Sequence, residues 1–290
     1  MPFKDALGDR MKAYENESRI YLDRKTPVII RVDGKAFHTF TRGFEKPFDD
    51  ILEKAMKDTM VHLCENIQGA VLGYTQSDEI TIVLIDYQEE NSDAWFGYNL
   101  QKMASVAASE ATFAFNRAFE KHFNNWKFNM GFPHTENWSD FTLVRYWRYI
   151  GCIDKGARFD ARAFSLPKFE VVNCLIWRQL DAIRNSIQAI GQSQFSHREL
   201  QGLNCDQIKE KLIAERGLHW EEYSDYHRHG VCCVKVEKEF VNNEGQKYTR
   251  KKWELEDIDF LKEKPFIKNL IKENLYDEGN ETEHDADATE

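Results

Sequence analysis

The sequence predicts an α+β fold built on a ferredoxin-like split βαβ sheet, with an added C-terminal helical and hairpin part. Two observations carry this: β-branched runs alternate with helix-periodic segments in the order β-α-β-β-α-β, and no glycine-, serine- or proline-rich linker divides the chain. The run "VIIRVD" at 28–33 reads as a buried first strand. Pro47 opens a helix in which Ile51, Leu52, Ala55, Met56, Met60, Leu63 and Ile67 recur at helical spacing, with Asp49 or Asp50 as its N-cap. Residues 70–75 and 79–85 read as a hairpin joined by Gln76, Ser77 and Asp78. Residues 92–119 predict one long helix with Trp95, Phe96, Leu100, Met103, Val106 and Ala107 on its apolar stripe, and 159–167 the next strand. The expected divisions are an N-terminal helical arm (1–24), the sheet unit (25–168), a helical and hairpin region packed on it (169–276) and an acidic disordered tail (277–290).

The formal net charge of −10 at first opposes a polyanionic partner. The last fourteen residues, however, hold seven acids and no Lys or Arg, so the body is near balance and has room for a local basic groove. No apolar run approaches eighteen residues and the start lacks a secretory signal, which predicts no membrane span and a cytoplasmic location. The six cysteines lack Cys-x-x-Cys spacing and read as reduced, packed thiols. Lys247, Arg250, Lys251 and Lys252 fit a solvated hairpin better than an RNA clamp.

The chemistry gathers in three stretches, "RVDGKAFHTF", "FEKPFDD" and "GYTQSDEITIVL". Asp33-Gly34 is by default a turn, but no second alternating run follows it. In a split βαβ sheet the first and third strands are neighbours, so Asp33 at the end of the first and Asp78 in the hairpin become candidates for one site. Two close carboxylates repel and raise each other's pKa unless a cation lies between them. Mg²⁺ suits such a pair when phosphates supply further oxygens, with Lys46 as a point charge for a triphosphate. Walker A, Rossmann and nucleophile-elbow patterns do not occur.

"DGKAFH", "KPFD" and "QSDE", in that order, resemble the tRNA(His) guanylyltransferase family of 3′–5′ nucleotide polymerases, and "LGDRMKAYE" is similar to its guanylyltransferase-like branch. The resemblance runs with gaps over roughly residues 5–235. It implies a polymerase/cyclase-type palm, two Mg²⁺ ions on Asp33, Asp78 and the Gly34 carbonyl, and Glu79 supporting the metal carboxylate. It further implies that Lys46 and Lys102 hold triphosphate oxygens, while Lys35, Ala36, Phe37, His38, Asp49 and Ser77 border the nucleotide with Gly34. Arg178 and Asn185 become RNA contacts, and the partners are tRNA, GTP and ATP, with a homotetramer as the assembly. The chain departs from the family in Phe48, usually Asn, and Asn99, usually basic. It also reads "IRNSIQA" after the retained Trp177, Arg178, Gln179 and Asp181, which favours templated 5′-end repair over strict use of tRNA(His). The rival readings are a cyclase-like palm enzyme on free nucleotides and a catalytically silent tRNA-binding protein.

Overall fold

In a computed structural model that describes residues 6–89, 91–242 and 245–272, these residues run through ten α-helices and six strands. In order these are α1 (Ala6–Glu17), β1 (Val28–Gly34), the single turn α2 (Phe37–Phe40), α3 (Asp50–Asn66), β2 (Ala70–Gln76) and β3 (Glu79–Leu84). Then follow α4 (Leu100–Asn129), α5 (Asp140–Lys155), β4 (Phe159–Ser165), α6 (Lys168–Gln194), α7 (His197–Leu200), α8 (Cys205–Arg216) and α9 (Asp225–His229). The hairpin β5 (Val231–Val241) and β6 (Lys247–Glu256) precedes α10 (Lys264–Leu270).

All pairings are antiparallel, in the order β4-β1-β3-β2-β5-β6. The expected split βαβ sheet forms the first four positions, with β1 between β3 and β4. The C-terminal hairpin does more than pack on this sheet: β5 joins it, pairing with β2 from Leu72–Val234 to Thr75–Val231. β2 is buried at every residue, and without β5 its outer edge would leave main-chain groups unpaired.

The sheet's alternation divides the core. Val28, Ile30, Val32, Ile80, Ile82 and Leu84 face α3 and α4. Ile29, Val71, Leu72, Tyr74 and Val83 face α6 and α10 through Val171, Val172, Leu175 and Ile267. A third cluster joins the end of α6 to α7 and α8 through Ile187, Ile190, Leu200, Ile208 and Leu212.

The long helix differs from expectation at both ends. Residues 95–98 form a 3₁₀ turn with left-handed φ at Phe96 (51°) and Gly97 (61°), and α4 starts only at Leu100. The apolar stripe continues across this break because Trp95 and Tyr98 are buried from the turn itself. Asn99 caps the new start, its Oδ1 accepting from the Lys102 N–H at 3.0 Å. At its far end α4 continues to Asn129 because Phe115, Phe119 and Phe123 extend the buried face at four-residue spacing. Truncating one such ring costs about 3–5 kcal/mol.

α1 forms as expected but buries no side chain, so Leu7, Met11 and Tyr14 stay exposed. The six cysteines are unpaired. No described helix is long and apolar enough to cross a membrane. The acidic tail from 277 lies outside the described residues.

Candidate active site

The site is assembled where β1 ends against the β2–β3 turn. The turn is tight, with Ser77 at φ 50°, and the Gly34 N–H donates to the Asp78 carbonyl at 3.0 Å, fixing turn to strand end. Gly34 has no substitute: a Cβ there would drive into the Phe37 ring. That ring is anchored by Phe40, Phe115 and Phe159, with centroids 5.1–5.4 Å away. Ala36 takes the left-handed conformation (φ 55°, ψ 40°) to bend the chain from strand into α2, a strained geometry of the kind that concentrates at functional sites.

From α2 the chain folds over as a loop to Asp49. Gly34, Ala36, Phe37 and His38 line one wall of a cavity of about 490 Å³, and Lys46, Asp49, Ser77, Asp78 and Asn185 join them there. Lys46 makes no ion pair or side-chain hydrogen bond with any described residue, which leaves its charge for a ligand.

Asp78 is the least comfortable group in this cavity. Burial raises its carboxyl above the ordinary range, and the negative charge of Asp33 adds to that, against a 3.0 Å hydrogen bond from the Ser77 hydroxyl. Asp33 itself does not line the cavity. It pairs in register with Glu79, so its side chain leaves β1 on the face of Glu79, and its charge acts on both acids. No three His, Cys, Asp or Glu side chains among the described residues gather as a metal shell. Two carboxylates with a nearby carbonyl are nevertheless the sparse donor set that Mg²⁺ uses when phosphate and water complete its octahedron. A half-buried acid raised by its partial burial and by a like charge is relieved by that cation, so the residues fit it.

Several expected site residues sit elsewhere or are already engaged. Asp49 lines the cavity, but its carboxylate is spent on the protein: it accepts from the N–H groups of Ile51 and Leu52 at 3.1 Å, Glu45 at 3.0 Å and the Tyr149 hydroxyl at 2.6 Å. Lys35 is exposed and holds the loop through its N–H, which donates to the Arg158 carbonyl at 2.8 Å. Lys102 is not brought to the cavity. It stands exposed on the first turn of α4, where the Leu100 N–H bonds Ile20 and the Leu22 N–H bonds Tyr98, beside the segment that leads into β1 rather than the end that leaves it. Glu79 and Arg178 form a buried pair at 2.8 Å beneath α6, with Arg31 at 3.9 Å from Glu79. Arg178 is only 7% exposed, so the expected surface contact with RNA is replaced by a structural ion pair. Much of the basic hairpin's charge faces acids of the same hairpin: Lys247 pairs with Glu239, Lys251 with Glu237, and Lys252 shares Glu254 with Lys238, while Arg250 makes no ion pair among the described residues.

Other contributors were invisible in the sequence. α5 buttresses the loop: Arg145 donates to Tyr149 and reaches Glu45 at 2.8 Å, and Arg148 donates to the carbonyls of Thr39 (2.8 Å) and Phe40 (3.2 Å). His227, Ser186 and Gln192 also line the cavity, from α9 and α6, outside the three stretches in which the chemistry gathers.

The family model described as tRNAHis guanylyltransferase (Thg1) matches residues 8–167, more than half of the chain. The chain belongs to the tRNA(His) guanylyltransferase family. Membership makes it a nucleotidyltransferase, and the sheet end, the turn and the loop described above all fall within the matched span. A bacterial tRNA(His) guanylyltransferase-like protein solved in complex with ATP superposes with a TM-score of 0.72 at 36% identity, covering 92% of this chain and 99% of that one. A bacterial protein of the same description in complex with GTP gives a TM-score of 0.69 at 35% identity, with the same coverage. An uncharacterised protein of Acanthamoeba polyphaga mimivirus is 29% identical over 242 residues, 80% of this chain and 77% of its own.

Proposed function

We propose that this chain is a Mg²⁺-dependent nucleotidyltransferase that adds GTP, and other nucleoside triphosphates, to the 5′ end of tRNA in the 3′–5′ direction. The observation that carries this reading is the half-buried Asp78, its carboxyl raised by burial and by the charge of Asp33, in a cavity whose cation Lys46 has no partner among the described residues. The tRNA 5′-monophosphate is first activated with ATP, or arrives as a triphosphate. The 3′-hydroxyl of the incoming nucleotide then forms the new bond to that 5′-phosphorus as AMP or pyrophosphate leaves. Two Mg²⁺ ions held by Asp33, Asp78 and the Gly34 carbonyl would supply hydroxyl activation and stabilisation of the leaving group. Lys46 neutralises phosphate charge, and Ser77 and His38 flank the carboxylate end of the cavity. No side chain of the protein needs to act as a nucleophile. The altered stretch Ile183–Ala189 around Asn185 supports templated repair of tRNAs lacking their first nucleotide over strict selection of tRNA(His). The family resemblance suggests a homotetramer, and the uncovered apolar side chains of α1 and of α5 (Phe141, Val144 and Trp147) are surfaces that such an assembly would cover.

The test is incubation with labelled triphosphates and a panel of tRNAs, full-length or lacking the first nucleotide. Templated extension of truncated tRNAs is expected. Guanosine addition confined to tRNA(His), whatever base faces it, would revise the substrate, and cyclic products from free nucleotides alone would overturn the polymerase reading.

A further inference from the structure

Part of the cavity lining is built from stacked rings, unlike the carboxylate at Asp78. Phe48 and the His227 imidazole lie flat on one another, centroids 4.0 Å apart and planes within 6°. His227 is pinned in that stack: its Nε2 meets Glu53 Oε2 at 2.8 Å, and Glu53 is tied in turn to Lys57 at 2.6 Å. Tyr223 closes Phe48 edge-on at 5.8 Å. A ring pair whose rotation is already restricted pays little further entropy when a third ring joins it. Both rings line the cavity, as does a strip of α6 on which Ala182 and Ala189 alternate with the amides of Asn185 and Gln192. Gln192 has no hydrogen-bond partner for its side chain among the described residues, and Asn185 spends only a 3.4 Å contact on Asp181.

We infer that the Phe48–His227 stack is the platform for the base of the bound nucleoside triphosphate, and that it makes nucleotide choice depend on stacking. Purine triphosphates then bind more tightly than pyrimidine ones, while adenine and guanine are hardly distinguished. A rotatable amide presents a donor or an acceptor as required, so Asn185 and Gln192 accept either purine edge. The inference rests on the nucleotide reading of this cavity but not on the direction or target of the transfer.

The test is isothermal titration of the full chain with ATP, GTP, CTP and UTP in the presence of Mg²⁺ and without RNA. Wild type is expected to bind both purines roughly tenfold more tightly than either pyrimidine, a part of one full base–aromatic stack, since a pyrimidine stacks too but over less area. Phe48→Leu and His227→Ala should bring all four nucleotides to within about twofold of one another, whereas His227→Phe, which keeps a ring but loses the Glu53 bond, should retain the purine preference. If His227→Ala fails to fold, Phe48→Leu and His227→Phe decide alone. Equal affinities in wild type, or an unchanged preference in Phe48→Leu, would overturn the platform. So would a His227→Phe protein as unselective as Phe48→Leu, because the histidine would then act only as a strut. Purine selectivity without tRNA extension would leave the platform standing and remove the catalytic reading.

Discussion

Asp78 and Glu79 are adjacent in sequence, yet the fold treats their charges in opposite ways. Glu79 lies under α6 with a guanidinium on each side, Arg178 at 2.8 Å and Arg31 at 3.9 Å. Asp78 turns into the cavity, where its nearest partner is the Ser77 hydroxyl and its charged neighbour is another acid, Asp33. Burial raises both carboxyls. At Glu79, Arg178 and Arg31 pull the value back against the charge of Asp33, whereas at Asp78 the Ser77 hydroxyl pulls it back and the charge of Asp33 pushes it up. A buried acid with its own cations is scaffold. A half-buried acid denied one is left with its repulsion unrelieved by an ion pair to any described residue.

The largest expected effect breaks the Asp78 side of this contrast. Asp78→Asn should lower nucleotide addition on the order of 10³-fold, as losing one electrostatic stabiliser of a transition state does, while the thermal midpoint stays level or rises because repulsion with Asp33 is gone. Rates under single-turnover conditions and a melting curve check both halves. On the Glu79 side the signs reverse. Arg178→Met strands a buried carboxylate and should cost about 3–5 kcal/mol in urea unfolding, while the double variant Glu79→Gln/Arg178→Met should cost less than the sum of the single ones.

A smaller effect tests how the loop between the two regions is held. Asp49→Ala removes the α3 N-cap and should cost about 1–2 kcal/mol, with a raised KM for nucleotide because the Lys46 segment loses its tie to α5. The pH dependence is smaller again. Because the folded-state pKa of Asp78 lies above its ordinary value of 3.8, the folded protein binds more protons than the unfolded chain from there up to the raised value. This group therefore costs stability progressively as pH rises through that window, and the cost is constant above it. The melting difference between Asp78→Asn and wild type, measured without metal, should grow from acid pH to neutrality and close when Mg²⁺ and ATP are added. The smallest effect belongs to the hairpin: Lys251→Ala should change stability by less than about 1 kcal/mol and leave tRNA affinity unaltered, since its charge already faces Glu237.

Sequence patterning revealed β1 through β4 because strands buried on both faces read as apolar runs while α3 and α4 bury one regular face, and "FDD" narrowed the cap to Asp49 or Asp50, of which the structure uses Asp49. The break at Phe96–Gly97 stayed hidden because Trp95 and Tyr98 keep the apolar spacing through a non-helical turn. The acid pair was readable from its order on a split βαβ frame. What holds and shapes the cavity was not: Tyr149 reaches Asp49 across 100 positions, and His227 reaches Glu53 across 174. Contacts of that span leave no local periodicity. Arg178 was misjudged for the same reason, since a helical arginine looks solvent-facing until the strand beneath it is found to carry Glu79.

Binding of Mn²⁺, followed by electron paramagnetic resonance in the presence of ATP, tests the central contrast most directly. Wild type and Glu79→Gln should take up the ion, and Asp33→Asn and Asp78→Asn should not. Retention of Mn²⁺ by Asp78→Asn, or its loss in Glu79→Gln alone, would mean that the cation is not held where Asp33 and Asp78 repel.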